Sequence, residues 1–247
     1  MNDIDFFQHK QGEILKVMPE EKSMEISVII PVLNEEDIIG DSIKRLRKIP
    51  GLEIVVADGG SDDRTIHNAE ESGADRIITT IKRRSIQMNT GAQEAAGQYV
   101  LFLHADTILP EGFENEMKEI LEKPGTAAGA FSLKYDDSSP VLKFIAFTAN
   151  LRSRWLKLPY GDQAIFVKKK TFQDMSGFRD LPVMEDYEFM TRARKRGRVI
   201  ISKKKITASA RRWKKQGFLK TWLRSKRVII GWKLGIPPEK LSKLYRK

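Results

Sequence analysis

Residues that could bind a ligand stand at or just after the ends of four apolar segments in the first half of the chain. They are Pro31, Asn34 and Glu35, then Asp58, then the run Lys82-Arg83-Arg84, and finally His104-Ala105-Asp106. Carboxylates can accept hydrogen bonds from a ribose or a base N–H, or can hold Mg²⁺ or Mn²⁺, which bridge phosphates. These residue types together suit a ligand that carries both hydroxyls and phosphates. The alternative for each acid alone is a cap on a neighbouring helix.

The four apolar segments predict the strands that must position these side chains. They read EISVIIPVL, LEIVVADGG, DRIITT and QYVLFLHAD, and helical patterns follow the first three. Strands that are apolar on both faces and alternate with helices favour a parallel α/β sheet. Ligands bind beyond the C-terminal ends of the strands in such sheets, so we expect Asp58 and Asp106 on one rim. Ser61 is the predicted N-cap of the second helix.

The second half of the chain has a less regular pattern. GTAAGAFSLKYDD predicts a strand, PVLKFIAFTANLRSRWLKL an amphipathic helix, and GDQAIFVKKKTF a strand followed by a turn. EDYEFMTRARKRG predicts a helix that begins on acids and ends on bases, which complements the helix dipole. Its first residues, Glu185 and Asp186, are either first-turn helix acids or a functional pair. A carboxylate beside another carboxylate and the apolar Met184 is expected to have a raised pKa.

The composition and the missing motifs exclude or disfavour several classes of protein. The chain has no cysteine, which excludes disulfides, thiolate metal sites and cysteine nucleophiles and suits a reducing cytoplasm. No G-x-G-x-x-G follows the first strand and no G-x-x-x-x-G-K-[ST] occurs, which disfavours a dinucleotide dehydrogenase and a P-loop NTPase. The N-terminal residues lack the features of a signal peptide, and no apolar run approaches the length of a membrane span.

Positive charge is concentrated at the C-terminal end. The net charge is +11, and residues 192–247 contain 21 lysines and arginines against one acid, Glu239. This segment therefore has a charge of +20, which leaves −9 for residues 1–191. Such a split favours an anionic partner that binds in one place, and the alternative is a solvated basic helix.

Five segments in a fixed order resemble one known family. VIIPVLNEE, IVVADGGSDDRT, QMNTGAQEAAGQYVLFLHADT, GDQAIFV and MEDYEF are similar to the motifs of the inverting family 2 glycosyltransferases. The match is to small bacterial and archaeal members without transmembrane helices, and it covers about residues 25–245. The resemblance implies a GT-A fold, in which a central, mostly parallel sheet is flanked by helices. It also implies transfer of a sugar from a UDP- or GDP-sugar donor to an acceptor hydroxyl.

The resemblance implies roles for the matching positions. Asp58 would contact the uracil or equivalent base of the donor. Pro31, Asn34 and Glu35 would line the nucleoside pocket. The other positions expected to contact substrates or the diphosphate are Arg84, Gln87, Gly161, Asp162, Gln163, Arg211, Arg212 and Trp213.

The catalytic chemistry that the resemblance implies needs a base and a stabilised leaving group. Asp186 matches the family's base, which takes the proton of the acceptor hydroxyl, and Glu185 stands beside it. Asp106 would be the main ligand of a divalent metal, Mn²⁺ or Mg²⁺, that bridges the diphosphate. The family's D-x-D motif reads His104-Ala105-Asp106 here. His104 is therefore either a second metal ligand or a residue that contacts the ribose or supports the site from outside it.

The basic tail, which we define as residues 211–247, has three interpretations. Its sequence places Phe218, Trp222, Ile229 and Trp232 on a broad apolar arc with basic residues opposite. It could pack on the core and cap the site, lie on an anionic membrane, or bind nucleic acid through phosphates and aromatic stacking. The first is favoured over the second, and nucleic acid is the least favoured partner.

The expected organisation is one glycosyltransferase domain, residues 25–247, behind an N-terminal appendage, residues 1–24. Within the domain we expect a nucleotide-binding half (25–106), an acceptor and catalytic half (107–210) and the basic helical tail. A cytoplasmic location is expected, with peripheral contact to the inner face of the membrane through the tail. The rival functions are a sugar-nucleotide nucleotidyltransferase, which would carry a Gly-rich phosphate loop where this chain has PVLNEE, and a basic nucleic-acid-binding protein.

Overall fold

The fold is described from a computed structural model that covers residues 24–246, so the expected N-terminal appendage lies outside the described residues except for Met24. The strands are β1 (Ile26–Val32), β2 (Leu52–Asp58), β3 (Arg76–Thr79), β4 (Tyr99–Phe102), β5 (Thr126–Tyr135), β6 (Phe166–Lys168) and β7 (Arg198–Ala208). The helices are α1 (Glu36–Arg47), α2 (Thr65–Glu71), α3 (Arg84–Glu94), α4 (Phe113–Glu122), α5 (Pro140–Leu156), α6 (Lys169–Asp174), α7 (Glu185–Arg196), α8 (Arg211–Gln216), α9 (Phe218–Lys233) and α10 (Pro238–Arg246). A short 3₁₀ helix spans Gly161–Gln163.

The strands form one seven-stranded sheet in the order β3-β2-β1-β4-β6-β5-β7. All neighbouring pairs are parallel except those of β6, which runs antiparallel to β4 and to β5. The α/β class and the mostly parallel sheet predicted from the sequence are therefore confirmed. The antiparallel β6 enters the sheet at the edge where the other strands end, and this brings the 3₁₀ helix before it to the same rim.

The strand β4 is apolar because it lies at the centre of the sheet. Leu101 and Leu103 pack in the core on one face, together with α1 and α4, and Val100 and Phe102 pack on the other, against α3 and α7. A strand buried on both faces must carry apolar side chains in both directions. The first polar side chain after it, His104, stands where the chain leaves the core.

Two local predictions were wrong. Ser61 is not the N-cap of the second helix, because α2 begins at Thr65 and the Ser61 hydroxyl donates to Asp58 at 2.5 Å instead. The segment after β6 is the helix α6 and not a turn. The Asp58–Ser61 contact closes the loop four residues before α2 begins, and sequence patterns for helix caps do not distinguish such a contact.

Within residues 24–246, no helix is both long and apolar enough to cross a membrane.

Candidate functional site

A cavity of about 460 Å³ opens at the rim of the sheet. Tyr135 and Ala208, the last residues of β5 and β7, lie at its edge, with His104 and Asp106 just beyond β4. The 3₁₀ helix, the start of α7 and the basic tail complete the wall. Arg84 after β3, with His104 and Asp106 after β4, therefore meets residues of the second half of the chain in one cavity, as expected for this sheet type.

Three acids line one side of the cavity: Asp162, Glu185 and Asp186. The backbone at Met184 is left-handed (φ 68°), and this turn sends the chain into α7 with both Glu185 and Asp186 at the cavity wall. Non-glycine residues in this conformation are uncommon and concentrate at functional sites. One Asp186 oxygen, Oδ2, accepts the Gly161 N–H at 2.6 Å, and the other accepts the N–H of Tyr187 at 2.6 Å. The Asp186 carboxylate is thereby fixed in one orientation.

Burial changes the protonation of the other two acids. Desolvation, reinforced by the charge of Asp186 and opposed by Arg84, raises the pKa of Glu185 to about 7. Desolvation also raises the pKa of Asp162, although Arg152 opposes the shift. The Oδ1 atom of Asp162 is enclosed and has no hydrogen-bond partner within the described structure. The sequence favoured a raised pKa for the base itself, whereas the carboxyl whose pKa is raised to about 7 is that of its neighbour, Glu185.

Arg84 connects this acidic side to His104. Its Nη2 atom donates to Nε2 of His104, and its Nε atom lies 3.7 Å from Oε1 of Glu185. Desolvation, followed by the positive charges of Arg84 and Arg212, lowers the pKa of His104 well below its ordinary value. His104 is therefore neutral at physiological pH, with its Nε2 lone pair turned to an arginine.

Asp106 lies near a second arginine, Arg211. Desolvation raises the pKa of Asp106, while Arg211 opposes the shift and Glu35 adds to it. Arg211 Nη2 bonds Oε2 of Glu35 at 2.9 Å, across 176 residues of sequence. Backbone bonds of 2.9 Å in both directions between Ile108 and Thr207 hold the segment after Asp106 against the end of β7. Arg211 thus links the β1–α1 loop to the Asp106 side of the cavity.

The basic tail forms one wall of the cavity. Arg212 and Trp213 of α8, with Ser225 and Ile229 of α9, line it. The start of α8 is fixed by the Ala210 N–H, which donates to Asp136 Oδ1 at 2.7 Å, and by an ion pair between Lys214 and Asp137 at 2.8 Å. The Trp213 ring packs edge-on to Tyr135 at 5.9 Å. The tail therefore packs on the core and covers the site, which is the first of its three interpretations.

The loops after β1 and β2 are bonded to each other next to the cavity. The Asn34 N–H donates to Ser61 Oγ at 2.9 Å, and the Asp62 N–H donates to Asn34 Oδ1 at 3.1 Å. Half-buried Pro31 lies just before this junction in β1. Asn34 has a left-handed backbone (φ 54°), which turns the chain toward the second loop.

Asp58 is fully buried and does not line the cavity. Its carboxylate accepts the N–H of Gly60 at 2.7 Å, the N–H of Ser61 and the Ser61 hydroxyl. It therefore shapes the β2–α2 loop beside the expected nucleoside pocket from within.

Two of the expected contact residues are packed inside the fold. The Gln87 amide donates to the carbonyls of Val32 and Ala57 at 2.7 and 2.8 Å, and so holds β1 and β2 together near their ends. The Gln163 amide donates to the carbonyl of Phe131 and to Ser153 Oγ, and Gln163 is fully buried. Neither side chain lines the cavity, because each satisfies buried groups behind it. Both position the site and do not face a substrate there.

A side chain on Gly161 would crowd Arg84 and Asp186. A Cβ atom there would lie 2.9 Å from Arg84 Nη2 and 3.3 Å from Asp186 Oδ2. The glycine lets the 3₁₀ helix approach both groups closely.

The expected metal ligands fit only in part. No cluster of three or more His, Asp or Glu side chains in the described range is arranged to hold an ion. His104 is turned to Arg84, which favours its role outside the metal's ligand set. Asp106 alone offers a carboxylate at the expected position, so a metal there would need the diphosphate oxygens of a donor as its other ligands.

Several cavity residues were not expected from the sequence. Tyr135 is the last residue of β5, which runs parallel to β4 because both strands pair antiparallel with β6. The expectation that ligands bind beyond the C-terminal ends of parallel strands could therefore have identified it. Tyr160 lies under the guanidinium of Arg152, with the Cζ atom 3.4 Å from the ring centre. Nothing in the local sequence marks that pair.

The arrangement is that of a GT-A glycosyltransferase fold, and solved structures share it. Glucosyl-3-phosphoglycerate synthase from Mycobacterium tuberculosis, crystallised with Mn²⁺, UDP-glucose and phosphoglyceric acid, is 17% identical with a TM-score of 0.55, over 72% of this chain and 69% of that one. TarS 1–349 from S. aureus, in complex with UDP-GlcNAc, is 18% identical with a TM-score of 0.60, over 75% of this chain and 58% of that one.

The family itself is shown by sequence. The model of glycosyl transferase family 2 matches residues 27–179, more than half of the chain, and the chain belongs to that family. The uncharacterized protein MJ1222 of Methanocaldococcus jannaschii is 45% identical over 49 residues, which make up 20% of this chain and 20% of that protein. The similarity to this curated relative thus spans about a fifth of its length.

Proposed function

We propose that this protein is an inverting glycosyltransferase that moves a sugar from a nucleotide-sugar to an acceptor hydroxyl. The observation that carries the proposal is one cavity lined by the carboxylate of Asp186, by Arg84 and Arg212, and by Asp106. A transferase of this kind needs a base for the acceptor and positive charge for the departing diphosphate. Family membership supports the same reaction.

Asp186 acts as the base in this proposal. Its carboxylate takes the proton of the acceptor hydroxyl while that oxygen forms a bond to the anomeric carbon. The bond from the anomeric carbon to the diphosphate oxygen breaks on the opposite face, so the configuration inverts and the nucleoside diphosphate leaves. Glu185, with its pKa raised to about 7, is partly protonated near neutrality and limits the negative charge beside Asp186.

In this proposal the departing diphosphate binds next to the arginines of the site. Arg84, Arg211 and Arg212 supply positive charge there, and Asp106 with the diphosphate oxygens would hold Mn²⁺ or Mg²⁺. When bound, the metal adds charge stabilisation of the leaving group. His104, neutral and bonded to Arg84, fixes the direction of that guanidinium.

The donor's nucleoside occupies the joined loops after β1 and β2. Pro31, Asn34 and Glu35 contact it, and the buried Asp58 holds the β2–α2 loop beside it. The structural relatives crystallised with UDP, UDP-glucose and UDP-GlcNAc support a UDP-sugar ahead of a GDP-sugar. Gly161, Asp162 and Trp213 face the donor sugar and the acceptor.

The test is a panel of ligands and donors. Thermal melting with UDP, GDP and their sugars, each with Mn²⁺ and with EDTA, should show stabilisation by one nucleotide class, because binding to the folded state adds RT ln(1 + [L]/Kd). Release of the nucleoside diphosphate from the stabilising donor should follow in wild type and fail in Asp186→Asn. Glu119→Gln is the matched control, because Glu119 is an exposed acid on α4 away from the cavity. No stabilisation by any nucleotide or nucleotide-sugar would refute the proposal.

Two further assays separate the rival functions. A nucleotidyltransferase would release pyrophosphate from a nucleoside triphosphate and a sugar phosphate. A nucleic-acid-binding protein would shift random oligonucleotides in a salt-sensitive way and ignore nucleotide-sugars. We further propose a cytoplasmic location with peripheral membrane contact through the basic tail.

A further inference from the structure

The outer side of α5 carries a row of exposed apolar side chains. We call this row the α5 ridge; it consists of Val141, Phe144, Phe147, Leu151 and Trp155. Their spacing of three or four residues places them on one face of the helix. Trp155 is 80% exposed, and Phe144 and Phe147 are 60% and 62% exposed.

The opposite face of α5 already serves the core. Leu142 and Ile145 are buried there, in a cluster that includes Trp213, Phe218 and Trp222 of the tail. The α5 ridge is therefore not needed to attach the helix to the domain. A contiguous exposed row of large apolar side chains is characteristic of an interaction surface.

A second row lies on the neighbouring helix α9. We call it the α9 ridge; it consists of Leu219, Leu223, Ile230 and Leu234, all exposed. Thr221, Val228 and Gly231 are buried on the opposite face. Basic side chains flank the ridge on both sides of the helix: Lys226 and Lys233 on one, Lys220 and Arg227 on the other.

We propose that the α5 and α9 ridges bind the surface of an anionic lipid bilayer. The proposal deepens the membrane contact suggested for the basic tail and adds α5 to it, and it does not depend on sugar transfer. Helices that lie in the membrane interface bury an apolar face, often with aromatic residues, and contact anionic headgroups through Lys and Arg. Phe144, Phe147 and Trp155 have the residue types of such a face.

The charge pattern favours a bilayer over a second copy of the chain. If the α9 ridges of two chains packed against each other, Lys220, Arg227 and Lys233 of one chain would face the same basic residues of the other. Like charges at an interface are unfavourable. An anionic membrane instead attracts each lysine or arginine near its surface.

The experiment is co-sedimentation of the full chain with phosphatidylglycerol–phosphatidylcholine vesicles and with neutral phosphatidylcholine vesicles. We expect wild type to bind the anionic vesicles, and to bind them less at high salt. Phe144→Gln/Phe147→Gln should lower the partition coefficient about tenfold or more, because two inserted apolar side chains are lost. Lys220→Gln/Lys233→Gln should lower it about fivefold per lysine at low salt. Trp155 fluorescence, taken as the difference from Trp155→Phe, should shift to the blue on binding.

The matched control is Ile81→Gln. The exposed fraction of Ile81, 63%, is nearly the same as that of Phe147, but Ile81 lies in the loop between β3 and α3. Phe147→Gln should therefore reduce binding to vesicles, and Ile81→Gln should not. The melting temperature of each variant reveals a folding defect, and its stabilisation by UDP reveals a failed donor site. Both are thereby distinguished from a failed membrane contact. Wild type that stays unbound, or Phe144→Gln/Phe147→Gln that binds like wild type, would overturn the proposal. A dimer in sedimentation velocity that this double variant dissociates would assign the ridges to a second copy instead.

Discussion

Asp186 is held by Gly161, a residue 25 positions earlier in the chain. The Gly161 N–H donates to Asp186 Oδ2 at 2.6 Å. A Cβ atom on Gly161 would lie next to both Arg84 and Asp186. The antiparallel strand β6 makes the Gly161–Asp186 hydrogen bond possible, because it brings the 3₁₀ helix to the rim where α7 begins. This hydrogen bond therefore ties the proposed base to the 3₁₀ helix.

Gly161→Ala should reduce turnover more than stability. The added Cβ would lie 2.9 Å from Arg84 Nη2, so Arg84 must shift, and Asp186 at 3.3 Å is disturbed with it. A misplacement of about 1 Å in a catalytic group can cost on the order of a hundredfold in rate. We expect kcat to fall about tenfold to a hundredfold with a melting temperature near that of wild type. Unchanged kcat would mean that Arg84 and Asp186 accommodate the added methyl group without leaving their working positions.

Asp58→Ala should weaken both nucleotide binding and the fold. The buried carboxylate accepts bonds from Gly60 and Ser61, and its removal leaves those donors without a partner. Losing such charge-assisted bonds costs about 1.5–3 kcal/mol. We expect a free energy of unfolding lower by about that amount in urea titrations, and nucleoside diphosphate affinity at least about tenfold weaker by calorimetry. Unchanged affinity in a folded variant would show that the β2–α2 loop does not hold the nucleoside.

Asp106→Asn should remove the response to divalent metal. Asp106 offers the carboxylate at the D-x-D position, and Asn keeps its shape but loses the charge that a hard cation requires. We expect Mn²⁺ to tighten UDP binding to wild type and to Glu119→Gln, and to leave the affinity of Asp106→Asn unchanged. If wild type itself binds UDP equally well in EDTA, the diphosphate is held by Arg84, Arg211 and Arg212 without a metal.

Glu185→Gln should stabilise the protein at alkaline pH. The folded state raises the pKa of Glu185 from 4.5 to about 7, so the protonated form is the one the fold favours. Its contribution to stability is fully present below about 4.5 and is lost as the pH rises through about 7. The variant should therefore match wild type near pH 5 and exceed it by about 1–3 kcal/mol at pH 8 in urea unfolding. An equal difference at both pH values would assign the effect to packing.

The sequence predicted which residues after β4 and at the start of α7 reach the cavity. Asp106 and His104 were placed correctly because β4 has to leave the core after Phe102. The start of α7 was found because acids at a helix start are a local signal. The α/β class was also predicted from local signals, because apolar strands and amphipathic helices can each be recognised in a short stretch of sequence.

The parts that depend on long-range contacts were not predictable. Gln163 and Gln87 look like polar loop residues in the sequence, yet each satisfies carbonyl groups of strands far along the chain. The contact of Arg211 with Glu35 joins residues 176 positions apart. Such pairings are set by how the sheet is assembled, and no local pattern encodes them.

Kinetics can separate the roles of Asp186 and Glu185. A base acts in the transition state and not in donor binding, so Asp186→Asn should lower kcat by about 10²–10⁴-fold and leave donor affinity nearly unchanged. Asn can still accept the Gly161 N–H, so the loop should stay in place.

Glu185→Gln should lower kcat less than Asp186→Asn does, because Gln resembles the protonated Glu185 that burial favours. It should alter the pH dependence of kcat more than the maximum value of kcat. A rise in KM alone for Asp186→Asn would mean that Asp186 binds substrate. If Glu185→Gln abolishes turnover while Asp186→Asn keeps most of it, Glu185 is the base and Asp186 holds the 3₁₀ helix against α7.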